Sequence, residues 1–139
     1  MSSKLMEYFI KSPRIGSLSP AGKGGKVDSA VFGSPHMIDE KTVVMGLGKN
    51  RTLANLQENP YAVFLIMEPG ETITDWKGVR VYLKRTDLAT SGPLLDGLKS
   101  QLARVAGEAV ANMMDAAVKF EIIEIRPLID MGQGWEQSV

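Results

Sequence analysis

Apolar residues recur along the chain in two rhythms, and the changes of rhythm mark out its elements. Leu5, Met6, Phe9 and Ile10 stand three or four apart, the spacing of one helix face, so a short helix is predicted over residues 3–12, ending at Pro13. A strand is expected over 14–18. The run Ser19-Pro20-Ala21-Gly22-Lys23-Gly24-Gly25 has the composition of a turn. A second strand is expected over 27–34, followed by Pro35 and a short extended piece, 36–38. Asp39-Glu40-Lys41 then turns the chain into 42–47, a strand rich in β-branched and apolar residues.

The rhythm changes at Lys49. Leu53 and Leu56 are three apart, Asn59-Pro60 closes the segment, and Asn50 is suited to cap a helix over 51–58. Residues 61–67 are apolar at every position, which predicts a strand buried on both faces. Over 78–87 the alternation returns, with Val79, Val81 and Leu83 on one side and Arg80, Tyr82 and Lys84 on the other. Leu95, Leu98, Leu102, Val105, Ala109 and Met113 then mark one long helix over 93–114, with Pro93 in its first turn. The last strand, 117–125, slips phase at Ile122-Ile123, as a bulge or burial of both faces would cause. These elements predict one α+β domain over 1–139, dominated by antiparallel strands and curled into a six-stranded barrel with short flanking helices.

Composition narrows the chemistry. With 139 residues, 44% hydrophobic and 23% charged, the chain is ordinary globular protein. It has no cysteine, so disulfides, thiolate metal sites and cysteine nucleophiles are ruled out, and a cytoplasmic setting is expected. Sixteen basic and sixteen acidic residues are evenly spread, which argues against nucleic-acid binding. The longest wholly apolar run, 62–67, is far below the roughly 20 residues of a membrane helix, and the charged residues among 1–12 do not fit a signal peptide. A single histidine, His36, leaves no histidine cluster for a metal. Neither the P-loop nor the dinucleotide fingerprint is present.

Two segments stand out. Gly46-Leu47-Gly48-Lys49-Asn50-Arg51-Thr52 runs off a strand into a helix start, where unpaired backbone N–H groups and the helix dipole favour an anion. Arg51 adds a planar fork of donors and Thr52 a hydroxyl; the alternative is an exposed basic helix start capped by Asn50. In Ala30-Val31-Phe32-Gly33-Ser34-Pro35 the strand loses its bulk and then its donor, which exposes backbone to a flat ring or simply ends the strand. Trp76, Trp135, Tyr82 and Phe32 are aromatic surfaces for stacking or for packing.

These two segments, with Glu58-Asn59-Pro60, the apolar strand 61–67, the strand 78–83 and the Thr90-Ser91-Gly92-Pro93 link, resemble the pyridoxamine 5′-phosphate oxidase-like FMN-binding split-barrel family over about residues 4–128. The resemblance implies a six-stranded split barrel that forms a homodimer with FMN at the subunit interface. It implies that Arg51 and Thr52 hold the phosphate with Asn50 beside them. Val31, Phe32, Gly33 and Ser34 would run along the isoalloxazine and ribityl chain, and Gly46, Leu47 and Gly48 would line the same pocket. Trp135 would approach the flavin from the partner subunit. The chain is much shorter than a pyridoxamine phosphate oxidase and shows no second basic cluster for a substrate phosphate, so that oxidase reaction is not expected. The implied function is a redox flavoprotein, an oxidoreductase or an electron carrier, with a partner or substrate left open and no catalytic side chain assigned. The alternatives are a deazaflavin or haem in place of FMN, with His36 the available imidazole, or a carrier without turnover.

Overall fold

The computed structural model describes residues 4–11 and 14–139. Residues 3, 12 and 13, which the predicted first helix and its Pro13 stop include, lie outside these. Between them α1 (Lys4–Phe9) turns Leu5, Tyr8 and Phe9 inward. A seven-stranded sheet follows, made of β1 (Ile15–Pro20), β2 (Ala30–Val31), β3 (His36–Asp39), β4 (Thr42–Leu47), β5 (Tyr61–Glu68), β6 (Lys77–Ala89) and β7 (Ala116–Pro127). Its order is β2-β1-β5-β6-β7-β4-β3, and every neighbouring pair is antiparallel.

The expected count of six strands is therefore corrected to seven. The extra strand is β3, where His36 and Met37 pair with Val44 and Val43 before a bulge at Ile38. The strand expected over 27–34 shrinks to Ala30–Val31. Ahead of it an isolated bridge pairs Val27 with Ala21, the Asp28 N–H donates to Pro20 O at 3.1 Å, and the Ser29 hydroxyl bonds those of Ser17 and Ser19 at 2.9 and 3.0 Å, so single backbone contacts and side chains replace a continuous ladder there.

The strand order forces the sheet to curl. β2 and β3 are its opposite edges, yet only residues 32–35 join them. Laid flat, seven strands span about 29 Å between edge strands. The chain from Val31 to His36 reaches at most about 18 Å when fully extended. The sheet bends into a half-barrel accordingly. The link is bonded toward both sides: the Phe32 N–H donates to Gly16 O of β1 at 2.9 Å, and the Ser34 hydroxyl donates to Gly46 O of β4 at 3.2 Å.

Inside the curve lie Leu18, Val43, Met45, Phe64, Ile66, Val79, Val81, Val118 and Phe120, all fully buried, with Phe9 of α1 stacked 5.8 Å from Phe64. The helix α2 (Arg51–Glu58) matches its predicted bounds, and Asn50 caps it by accepting from the Leu53 N–H at 2.9 Å. The helix expected over 93–114 is two. α3 (Pro93–Ala106) stops at Gly107, whose φ of +91° a side chain would resist, and α4 (Glu108–Ala111) restarts in a new direction. α3 packs Leu95 and Leu98 on the outer side of β4 and β7, against Val44, Met114 and Ala117. β4 and the start of β7 are thus covered on both faces. β5, expected to be so, buries only Ala62, Phe64 and Ile66, while Tyr61 remains 52% exposed. The phase slip in the last strand is a bulge: Tyr82 and Leu83 pair with Glu124 and Ile122, leaving Ile123 over.

At the end of the chain, Arg80 and Arg126 share the Asp130 carboxylate at 2.9 and 2.6 Å. The Ser138 hydroxyl donates to Gly78 O at 2.7 Å, anchoring a 3₁₀ turn, Trp135–Ser138. Among the described residues no helix is long and apolar enough to cross a membrane.

The curl of the sheet depends on a missing side chain. A Cβ on Gly16 would sit 2.6 Å from Phe64 Cζ and 2.9 Å from Phe32 O. Gly16→Ala is expected to lower stability by about 1–3 kcal/mol, the usual range for overpacking. Gly24→Ala, with no atom within 4 Å of the new methyl, is the control. Urea denaturation of both variants measures the difference; equal midpoints would show that the link tolerates displacement.

Candidate functional site

β4 ends at Leu47, and α2 begins three residues after Gly48. Asn50 folds its side chain back on the Leu53 N–H, and its carbonyl accepts from Ala54 at 3.2 Å. The amides of Arg51 and Thr52 have no acceptor within the helix and form its positive end. In front of this turn lies a cleft of about 700 Å³, within the usual range for cofactor pockets.

Six of the predicted site residues line it: Phe32, Ser34, Gly46, Leu47, Gly48 and Asn50. The structure brings the two candidate segments to one place because the link 32–35 crosses beside the end of β4, held there by the bond from Ser34 to Gly46. Lys49 also stands on the wall of the cleft. Arg51 is exposed just beyond the wall, and Thr52 is only 2% exposed, tucked into the start of the helix. Val31 and Gly33 face a different, smaller cleft, of which Phe32 is also a wall. Trp135 packs half-buried against the core of its own chain and does not line the 700 Å³ cleft.

The opposite wall escaped the sequence reading. It consists of Leu102, Val110, Asn112, Met113, Met114 and Asp115, from α3, α4 and the turn into β7. The Asp115 N–H donates to Leu47 O at 2.8 Å and ties that turn to the end of β4. The Met114 thioether lies against Gly46, filling the space a Cβ would need. A signal was present: the apolar stripe of 93–114 is longer than the core has room to bury. Leu95 and Leu98 are 4% and 9% exposed, whereas Val105 and Met113 are 88% and 71% exposed.

His36 is half-buried beside the cleft, with Nδ1 3.0 Å from Ser34 O. It lines an adjoining pocket of about 180 Å³ with Ser34, Gly46, Leu98, Leu102 and Met114. The site thus presents an apolar cleft with a few backbone polar groups and a cationic rim. Among the described residues, neither His36 nor the hydroxyls of Ser34 and Thr52 are paired with a base or acid as a nucleophile would be.

No protein-family model and no curated protein matches the chain. Solved structures do match its fold. An FMN-binding protein from Syntrophomonas wolfei subsp. wolfei is 24% identical with a TM-score of 0.72, over 90% of this chain and 82% of that one. HutZ, the haem storage protein from Vibrio cholerae, is 12% identical with a TM-score of 0.66, over 93% and 96%. An F420 reductase is 12% identical with a TM-score of 0.62, over 89% and 98%. These likenesses show that the chain shares the split-barrel fold of these structures.

Proposed function

We propose that the protein binds FMN in the 700 Å³ cleft and serves as a redox flavoprotein. One observation carries this reading: a cleft with apolar walls ends at a helix start whose free amides stand beside Lys49 and Arg51. That arrangement suits a flat apolar ring joined to a phosphate. The S. wolfei neighbour, an FMN-binding protein, supports it. In this reading the phosphate lies at Asn50–Thr52, with Lys49 and Arg51 on its two sides. Gly46, Leu47 and Gly48 line the ribityl chain, and Phe32 and Ser34 lie along the ring. When bound, the flavin accepts and passes on electrons, and the protein supplies position and polarity.

A homodimer belongs to the same proposal. Val105 and Met113 leave large apolar side chains in solvent beside the cleft, each forgoing about 1.5–3 kcal/mol of burial. A second subunit, with its own Trp135 approaching the flavin, accounts for that exposure. Haem is the second reading, favoured by His36 beside the cleft and by the HutZ neighbour. A deazaflavin, in line with the F420 reductase neighbour, would use the same cleft.

The chromophore carried through purification tests the proposal. Flavin absorption near neutral pH is expected, and a Soret band would establish the haem reading instead. FMN is expected to bind at least tenfold more tightly than riboflavin. Lys49→Ala and Arg51→Ala should each erode that preference on the order of tenfold while leaving riboflavin affinity unchanged, since one charge-assisted hydrogen bond contributes about 1.5–3 kcal/mol. Equal affinity for FMN and riboflavin would move the phosphate away from α2. Light scattering of the flavin-loaded protein is expected to give twice the 15.1 kDa chain mass. A monomer carrying flavin would refute the interface.

A further inference from the structure

The smaller cleft, of about 290 Å³, lies on the other side of Phe32, between the end of α1 and the link from β2. Phe9, Ile10, Val31 and Phe32 give it apolar walls, Gly16 and Gly33 leave room, and Lys11 and Arg14 are its charged groups. The two cations differ. Lys11 is half exposed and paired with Glu68 at 3.1 Å. Arg14 is half-buried, its guanidinium carbon 5.7 Å from the Phe9 ring centre, and its Nε–H donates to Phe9 O at 3.0 Å.

That one bond uses one of the five donors of a guanidinium. Among the described residues Arg14 has no carboxylate partner and no other hydrogen-bond acceptor. Burial also holds its pKa below the ordinary value for arginine, although the group stays charged at neutral pH. A partly desolvated cation with a free planar edge is an unmet demand, because removal from water is recovered only by a paired anion. The edge matches a carboxylate, which takes two parallel N–H donors.

We infer that this cleft binds a small organic acid, its carboxylate on the free edge of Arg14 and its apolar body against Phe9, Val31 and Phe32. The volume, at the low end for ligand pockets, suits an acid with a single ring. Lys11, held by Glu68, adds positive charge at the rim without competing for the same contact. Phe32 walls both clefts, so a ligand here sits beside whatever fills the larger one. Read with the FMN proposal, on which this last step rests, the cleft is where an acidic substrate meets the flavin.

Calorimetric titration of the cofactor-free full chain with benzoate tests the site. One saturable site per chain is expected, with benzyl alcohol, the neutral counterpart, at least tenfold weaker. Arg14→Gln keeps an amide donor for Phe9 O and is expected to weaken benzoate at least tenfold. Val31→Asp places a negative charge on an exposed wall without touching Arg14, and should weaken benzoate equally, while Val31→Asn should not. Absence of saturable benzoate binding, equal binding of benzyl alcohol, or full benzoate affinity in both Arg14→Gln and Val31→Asp would overturn the inference. In protein loaded with FMN, benzoate is expected to perturb the flavin absorption, and saturation without perturbation would overturn the substrate role. The two readings fail separately. Chain that takes benzoate through Arg14 but no FMN overturns the flavin proposal alone, and chain that takes FMN but no benzoate overturns this one alone.

Discussion

Four residues have to bridge the two edges of a seven-stranded sheet, and the architecture follows from that shortage of chain. Residues 32–35 cannot cross a flat sheet, so the sheet curls until β2 and β3 come within reach. The crossing uses its own polar groups to hold the curve, Phe32 toward β1 and Ser34 toward β4. Gly16 makes the approach possible, since a methyl there would strike both Phe64 and the Phe32 carbonyl. A link so constrained has no slack to fold over the openings on either side of it. It becomes a ridge with a cleft on each flank, and Phe32 belongs to both.

The helices decide which flank is roofed. α3 begins on the outer face of β4 and β7, burying Leu95 and Leu98, and by Val105 it has left the sheet behind. The break at Gly107 then turns α4 so that Val110 and Met113 face the space in front of β4. That segment trades burial for a wall. Its exposed apolar groups are costly in the isolated chain and become useful only when something fills or covers the cleft.

Local chemistry was legible in the sequence, and distant packing was not. The bounds of α2 follow from Asn50 and from Asn59-Pro60, signals within a few residues of each end, and the chain folds there as read. The anion-type helix start was visible for the same reason. Burial of both faces was assigned to 61–67 because every residue there is apolar. In the fold it falls to β4, because a helix some fifty residues later lands on that side. No property of 42–47 announces α3. The sequence reads as one long helix through Gly107 because the apolar stripe stays periodic across both Gly97 and Gly107, and only Gly107 takes a positive φ. The strand count falls one short at His36–Asp39, legible from sequence only as an extended piece over 36–38 that becomes a strand when β4 pairs with it.

The basic group missing from the sequence reading shows the same limit from the side of charge. Arg14 lies far in sequence from Val31 and Phe32, and only the curled sheet sets them around one cavity. Even then its meaning depends on burial more than on sign. Exposed lysines elsewhere on the surface need no partner, because water solvates them. Arg80 and Arg126, with 31% and 40% of their side chains exposed, nonetheless share Asp130, whose pKa is held low first by the Gly132 amide and then by Arg126. Arg14 is also withdrawn from solvent, packed on Phe9, and among the described residues has no such carboxylate. A chain whose charges cancel overall can therefore still carry a local deficit of negative charge. In this molecule one such deficit opens onto a cavity, and the side chain that walls that cavity also walls the cleft beside it.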